Sequence, residues 1–294
     1  MSATDGEKLP EMTFWGHVEA LRSVLLRAGV VLAVLTGVFF LLMPDIFDSV
    51  ILAPTRGDFV LYRLFDRLGA ESPLMPDLGG GDFHVELINI QLASQFFIHM
   101  STSFWLAVVF AFPIIIYMVW GFVAPALYQG ERKGMGKAFL LGNVMFFIGV
   151  AVGYFVVFPV TLRFLADYQV SAEVPNQISL DSYMDNFTVL ILVMGIVFEL
   201  PLLAWLLGRM GLVSRRFFRA YRRHAVAVLL ILAAVITPTG DPFTLMVVFL
   251  PVYGLWEFSA MLVPKKLGDE ADDDDDDTDG EPYVPTYKSA ARRE

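Results

Sequence analysis

The sequence predicts an all-α polytopic membrane protein of six transmembrane helices with both termini in the cytoplasm. Three observations predict it. The 294 residues are 56% hydrophobic, with a mean hydropathy of +0.60, more than a soluble domain of this length sustains. The apolar residues gather in runs approaching the roughly 20 residues that cross a bilayer. Of the 18 Lys and Arg residues before position 267, 14 fall on one set of alternate connections and only Arg56, Arg63, Arg67 and Arg163 on the other. By the positive-inside rule the basic set is cytoplasmic.

Composition excludes several chemistries. There is no cysteine, so disulfides, thiolate metal sites and cysteine catalysis are absent. The net charge of −10 is mostly one tail: from Leu267 onward there are 11 acids and 3 bases, leaving 20 acids and 18 bases elsewhere. Such a like-charge block reads as disordered and solvated, or as a regulatory segment. No cleavable signal peptide is expected, because the first apolar run is long and lacks a small-residue cleavage site. The chain therefore divides into a cytoplasmic amphipathic segment (1–23), a transmembrane domain (24–263) and an acidic cytoplasmic tail (264–294).

The elements follow in order. Residues 13–27 carry Phe14, Val18, Leu21, Val24 and Leu25 at helical spacing, with His17, Glu19 and Arg22 nearer water. The first span covers 24–43 and is closed by Pro44. Residues 44–95 form a long excursion with Pro54, Pro73, Pro76 and three consecutive glycines at 79–81, and with short amphipathic pieces near 59–68 and 85–96. The second span, 97–123, contains Pro113. The third, 139–158, contains Gly149 and Gly153, a spacing that permits close helix approach. A second outer loop occupies 160–185, and the fourth span 187–207.

A dense basic segment, RMGLVSRRFFRAYRRH, follows. It suits topology and anionic headgroups; nothing supports nucleic-acid binding. The fifth run, 225–237, is 13 residues, about 20 Å of helix against a core of roughly 30 Å. It must borrow length or thin the bilayer. The turn TPTGDP at 237–242 leads to the sixth run, 243–263, interrupted by Pro251.

Few residues can carry chemistry. Glu199 lies within the fourth span, two residues before Pro201. An acid at that depth costs about 2.5–3.5 kcal/mol and is either functional or a structural acid in a polar gap. Pro201 frees a nearby carbonyl, so a hydrated pocket is expected there. Taken alone, Glu199 would also suit the proton site of an ion-coupled small-molecule transporter. Glu131 and Glu19 are the cytoplasmic acids. Each could accept a bidentate arginine or pair locally with Arg132 or Arg22. Asp241 suits turn chemistry, and Glu257 follows Trp256 near the cytoplasmic end of the last span. No hydrolase motif, phosphate loop or metal-ligand spacing occurs, and neither enzymatic activity nor a cofactor is expected.

The stretch at 120–133, WGFVAPALYQGERK, resembles the first cytoplasmic loop of the TatC family, receptor subunits of the twin-arginine translocase. Trp120, Phe122, Pro125, Leu127, Glu131 and Arg132 carry that match. HVEALR (17–22) is similar to the family's start, with Ala20 where its glutamate stands. LAP (52–54), YFVVFP (154–159), FELP (198–201) and TPTGDP (237–242) resemble further family motifs, with Leu245 where a glutamine is common. The resemblance implies a concave, glove-like bundle with short fifth and sixth helices in a bacterial inner membrane. It implies a non-enzymatic receptor for twin-arginine signal peptides of folded substrates, working with TatA and TatB, or TatA alone, in a homo-oligomeric complex driven by the proton-motive force. Glu131, Glu19, Phe122 and Arg22 would bind the signal peptide. Glu199 and Pro201 would serve transport within the membrane, and Pro54, Thr237, Asp241 and Glu257 would serve partner contact or structure.

Overall fold

The computed structural model describes residues 14–69, 83–123, 135–171, 173–237 and 240–263. The tail, the glycines at 79–81 and the loop residues 124–134, Glu131 among them, lie outside the described residues. Among the described residues the chain is almost wholly helical, and five stretches are long and apolar enough to cross a membrane: Val18–Thr55, Ser94–Val119, Phe139–Asp167, Leu180–Arg209 and Pro242–Leu262.

Helix α1, Phe14–Ile46, joins the amphipathic segment and the first span without a break. Pro44 does not close it; the helix continues to Ile46 and then widens into a π-helical stretch, Phe47–Ile51. Its apolar stripe is largely exposed at Val18, Leu21 and Leu25, and α1 packs chiefly on α3, Ser94–Val123. Between them in the chain lies α2, Val60–Gly69, the first expected amphipathic piece. The second piece, expected at 85–96, is extended instead: Leu87–Ile88 forms strand β1 and helix begins only at Ser94. β1 pairs in parallel with β2, Ile178–Ser179, through Leu87↔Ile178 and Ile88↔Ser179. The pairing ties the two outer loops together.

The third span is α4, Met135–Val152, a π-helical stretch, Gly153–Val157, and α5, Phe158–Asp167. The second outer loop is therefore shorter than 160–185, since α5 runs to Asp167 and α6, Leu180–Val197, starts early. Ser179 caps α6 by accepting from the Ser182 amide at 3.2 Å, which replaces an orphan contact at the helix start. α6 is the centre of the bundle and touches α3, α4, α5 and α9.

The expected glycine pair works at the α4–α6 contact. A Cβ on Gly149 would lie 2.5 Å from the Met194 carbonyl oxygen and 2.7 Å from Phe198 Cβ, and one on Gly153 would lie 2.9 Å from Ile191 Cα. Gly195 reciprocates, with Phe146 and Val150 each 2.9 Å from where its Cβ would stand. Small residues on both helices thus allow the backbones to close.

The fourth span breaks at Phe198–Glu199 and resumes as α7, Leu200–Arg209. The basic segment is split: α8 is Arg215–Ala220 and α9 is Arg222–Ile236. α9 does borrow length, but its 15 residues make only about 22 Å. The last helix, α10, Pro242–Leu262, runs through Pro251 unbroken and has 21 residues, about 31 Å. Of the two helices expected to be short, only the fifth is. Proline removes one helical hydrogen bond, and α10 continues on both sides of it.

Candidate functional site

The site residues fall in three places along the bundle. At the end opposite the arginine-rich segment, the turn after α1 is held by three tyrosines. Tyr154 donates to the Val50 carbonyl at 2.8 Å, and Tyr183 to the Ile51 carbonyl at 2.5 Å. The Tyr62 hydroxyl lies 3.1 Å from the carbonyl oxygens of both Pro54 and Pro159 and shares its proton between them. Pro54 is buried and opens a short 3-10 turn, Ala53–Thr55. Two of the motif prolines, 105 positions apart in the chain, are thus bridged by one phenol. Burial pushes the Tyr62 pKa well up, with Arg163 opposing and Asp167 adding to it. Arg163 pairs with Asp167 at 2.8 Å and stacks over Phe83, 4.2 Å from the ring centre.

The second place is Glu199. It stands at the N-terminal boundary of α7 but makes no capping bond with its side chain. The residue-201 amide that the Val197 carbonyl would have accepted from is missing, because position 201 is a buried proline. The carboxylate lies against α4 at Gly142: a Cβ there would be 3.1 and 3.6 Å from its two oxygens. Leu202 Cδ2 of α7 would stand closer still, 2.5 Å from that Cβ, so the glycine leaves room for both side chains. Oε1 is buried with no hydrogen-bond partner among the described residues, and so is Oδ1 of Asn143, the residue beside Gly142. Asn143 donates its amide to the Phe139 carbonyl at 2.8 Å. Each of these two acceptors lacks a donor among the described residues. A buried acceptor without a donor is costly.

The third place is the arginine-rich end. Glu257 of α10 binds Arg222 of α9 at 2.7 Å and accepts from the Tyr253 hydroxyl at 3.1 Å. Arg215 donates to the Ala260 and Met261 carbonyls at 3.1 and 3.3 Å and so terminates α10. Phe218 packs on Trp256, with Ala204, Ala260 and Val263 around them. Glu257 therefore joins two helices.

Other expected residues have simpler roles. Asp241 is the N-cap of α10, its Oδ1 accepting from the Thr244 amide at 2.7 Å. Thr237 is buried at the end of α9. Glu19 and Arg22 face each other on α1 at 3.8 Å with both side chains about 70% exposed, a contact of little energetic weight. Phe122 lies in the last turn of α3, and Glu131 lies outside the described residues.

Sequence reasoning passed over Tyr62, Tyr183 and Gly142. A tyrosine in a long loop and a glycine in a membrane run carry no local signal of their partners. The close approach of Leu202 and Glu199 to Gly142 is visible only once the helices are packed.

Comparison with known proteins agrees with this architecture. The sequence matches the family described as Sec-independent protein translocase protein (TatC) over residues 16–251. It is 35% identical to the Sec-independent protein translocase protein TatC of Blattabacterium over 250 residues, covering 85% of this chain and 94% of that one. It is 30% identical to the protein of the same name from Koribacter versatilis over 254 residues, covering 86% and 85%. Among solved structures it resembles the twin-arginine translocase receptor TatC, with a TM-score of 0.65 at 24% identity over 84% of this chain and 97% of that one, a likeness of fold.

Proposed function

The chain belongs to the TatC family, and from that premise we propose that it is the signal-peptide receptor of a twin-arginine translocase, exporting folded proteins with the proton-motive force. It is a core component of the Sec-independent protein translocase and a multi-pass membrane protein. The observation that carries the reading is the family match over residues 16–251, which spans four of the five membrane-crossing stretches and enters the fifth. The small-molecule transporter reading rested on Glu199 alone and gives way to it.

Several finer points are part of the proposal. α9 completes a set of six spans, with both termini in the cytoplasm of a bacterium bounded by its inner membrane. Glu131, supported by Phe122, reads the arginine pair of the signal, with Glu19 and Arg22 beside it. Glu199 and Pro201 form the site within the membrane. TatA and TatB, or TatA alone, complete the working complex, in which several copies assemble, and no enzymatic step is needed.

The test is binding of a twin-arginine signal peptide to the purified protein, against a twin-lysine peptide, in wild type and Glu131→Ala. A guanidinium binds a carboxylate through two parallel hydrogen bonds and an ammonium does not. Arginine-selective binding that Glu131→Ala abolishes is the expected result. Absence of selectivity in wild type would overturn the receptor reading. Selectivity that survives the substitution would move the site to Glu19.

A further inference from the structure

Helix α2 is fixed in rotation by what it buries. Leu61 and Tyr62 are buried and, with Phe59, pack against Ala53, Phe83, Tyr154 and Val160. The Tyr62 hydroxyl, held at the Pro54 and Pro159 carbonyls, locks that face inward. At 100° per residue, Val60, Arg63, Leu64 and Arg67 share one arc of about 100° on the other side. Val60 is 57% and Leu64 49% exposed, and both arginines are exposed beside them. Asp66 stands on the flank between the two faces. The other two arginines of this end are occupied: Arg56 donates to the Asp48 carbonyl at 3.3 Å, and Arg163 pairs with Asp167. Arg63 and Arg67 enter no ion pair among the described residues.

The helix also sits at the depth of a bilayer surface. Phe59, just before α2, stacks on Phe155 with ring centres 6.0 Å apart. Phe155 and Val156 are exposed within the membrane-crossing stretch Phe139–Asp167. Phe155 lies 16 residues past Phe139, about 24 Å of helix against a hydrocarbon core of roughly 30 Å. α2 therefore begins where this span nears the edge of the core.

We propose that the outward face of α2 seats in the headgroup layer and holds an anionic phospholipid, with Val60 and Leu64 in the upper acyl region and Arg63 and Arg67 on the phosphate. Arginines at i and i+4 have Cβ atoms about 5–6 Å apart, so two guanidinium forks can share one phosphodiester. Their stems lie along apolar surface while the charge reaches the headgroups. An acidic peptide would match the charge but leave the aliphatic side chains between the arginines unmet; a phospholipid meets both. Through Tyr62 on the opposite face, the bound lipid sets the depth of the turn after α1 and of the end of the third span.

The absence of native cysteine makes the test direct. A bimane label is placed at Leu64→Cys in the full-length protein, held in phosphatidylcholine nanodiscs. Phosphatidylglycerol or phosphatidylcholine brominated in the upper acyl chain is added at the same low mole fraction, and the quenching is compared. Brominated phosphatidylglycerol is expected to quench more strongly, through a local enrichment of roughly 5-fold for each arginine. A label at Val34→Cys, on the exposed side of α1, should be quenched equally by both. The preference at Leu64 should disappear in the combined Arg63→Gln and Arg67→Gln variant and persist, weakened, with lysine at both positions. Equal quenching by the two lipids at Leu64 would overturn the proposal with both arginines in place, whatever the variants do to folding. So would a preference that survives the glutamine variant. Absence of quenching by either lipid would overturn it too, by showing that protein and not bilayer covers this face.

Discussion

His99 of α3 donates through Nε2 to the Phe40 carbonyl of α1 at 2.8 Å, with the two rings stacked 4.1 Å apart. The donor helical geometry would supply to that carbonyl is the amide of residue 44, and residue 44 is a proline inside the helix. A side chain of the neighbouring span thus replaces the hydrogen bond that proline removes. Because a carbonyl only accepts, Nε2 must carry the proton.

His99→Ala should destabilise the protein by about 1–3 kcal/mol, the cost of a buried acceptor left unpaired. Combined with Pro44→Ala the loss should shrink, since alanine restores the helical donor. Thermal unfolding of the four proteins in detergent gives the coupling. Strictly additive effects would refute the substitution of one donor for another.

Gly149→Ala should cost about 1–3 kcal/mol through overpacking, because the new methyl meets a backbone carbonyl 2.5 Å away that cannot rotate aside. Gly37→Ala is the matched control: nothing lies within 4 Å of its Cβ position, and it should be neutral or slightly stabilising. Equal unfolding temperatures for the two variants would contradict the α4–α6 contact described.

Tyr62→Phe should lower stability by roughly 0.5–1.5 kcal/mol, the net worth of its hydrogen bonding to the two proline carbonyls. The pH dependence has a definite sign. Burial raises the folded-state pKa of Tyr62 above its ordinary value, so the phenol stays protonated in the fold where it would ionise in the open chain. Its contribution is complete below about pH 10 and is lost as pH rises beyond that. In Tyr62→Phe the alkaline fall in stability should be shallower; an unchanged alkaline limb would count against the buried phenol.

Glu199→Gln should leave stability within about 1 kcal/mol of wild type, since it retains the shape beside Gly142 while removing a charge that lacks a donor. Export of a folded substrate should fall. A cysteine at 199 should react with a water-soluble thiol reagent in at least one state of the complex. Complete protection in every state would show that no hydrated gap exists between α4 and α7.

Much of the fold was legible in the sequence because it depends on local properties. Hydropathy placed the long apolar helices, and the shortness of the fifth run followed from counting, but the caps Ser179 and Asp241 emerged only from the folded chain, where α6 starts at Leu180. The glycine pair at 149 and 153 was readable as a close approach, though not which helix would approach. Proline misled twice. Pro44 and Pro251 mark missing donors, and the sequence alone does not say whether a neighbour makes up the loss. At Pro44 it does, through His99, and the helix continues; at Pro201 the chain breaks and leaves Glu199 at the boundary.

By itself, then, the sequence determined the membrane class, the charge asymmetry and the family motifs, since residue type and spacing carry that information. The tertiary structure alone decided which distant groups meet: Tyr62 with Pro54 and Pro159, Gly142 with Glu199, Arg215 with the end of α10. Those contacts depend on how helices far apart in the chain are packed, and no local pattern of residues encodes a partner it has not yet reached.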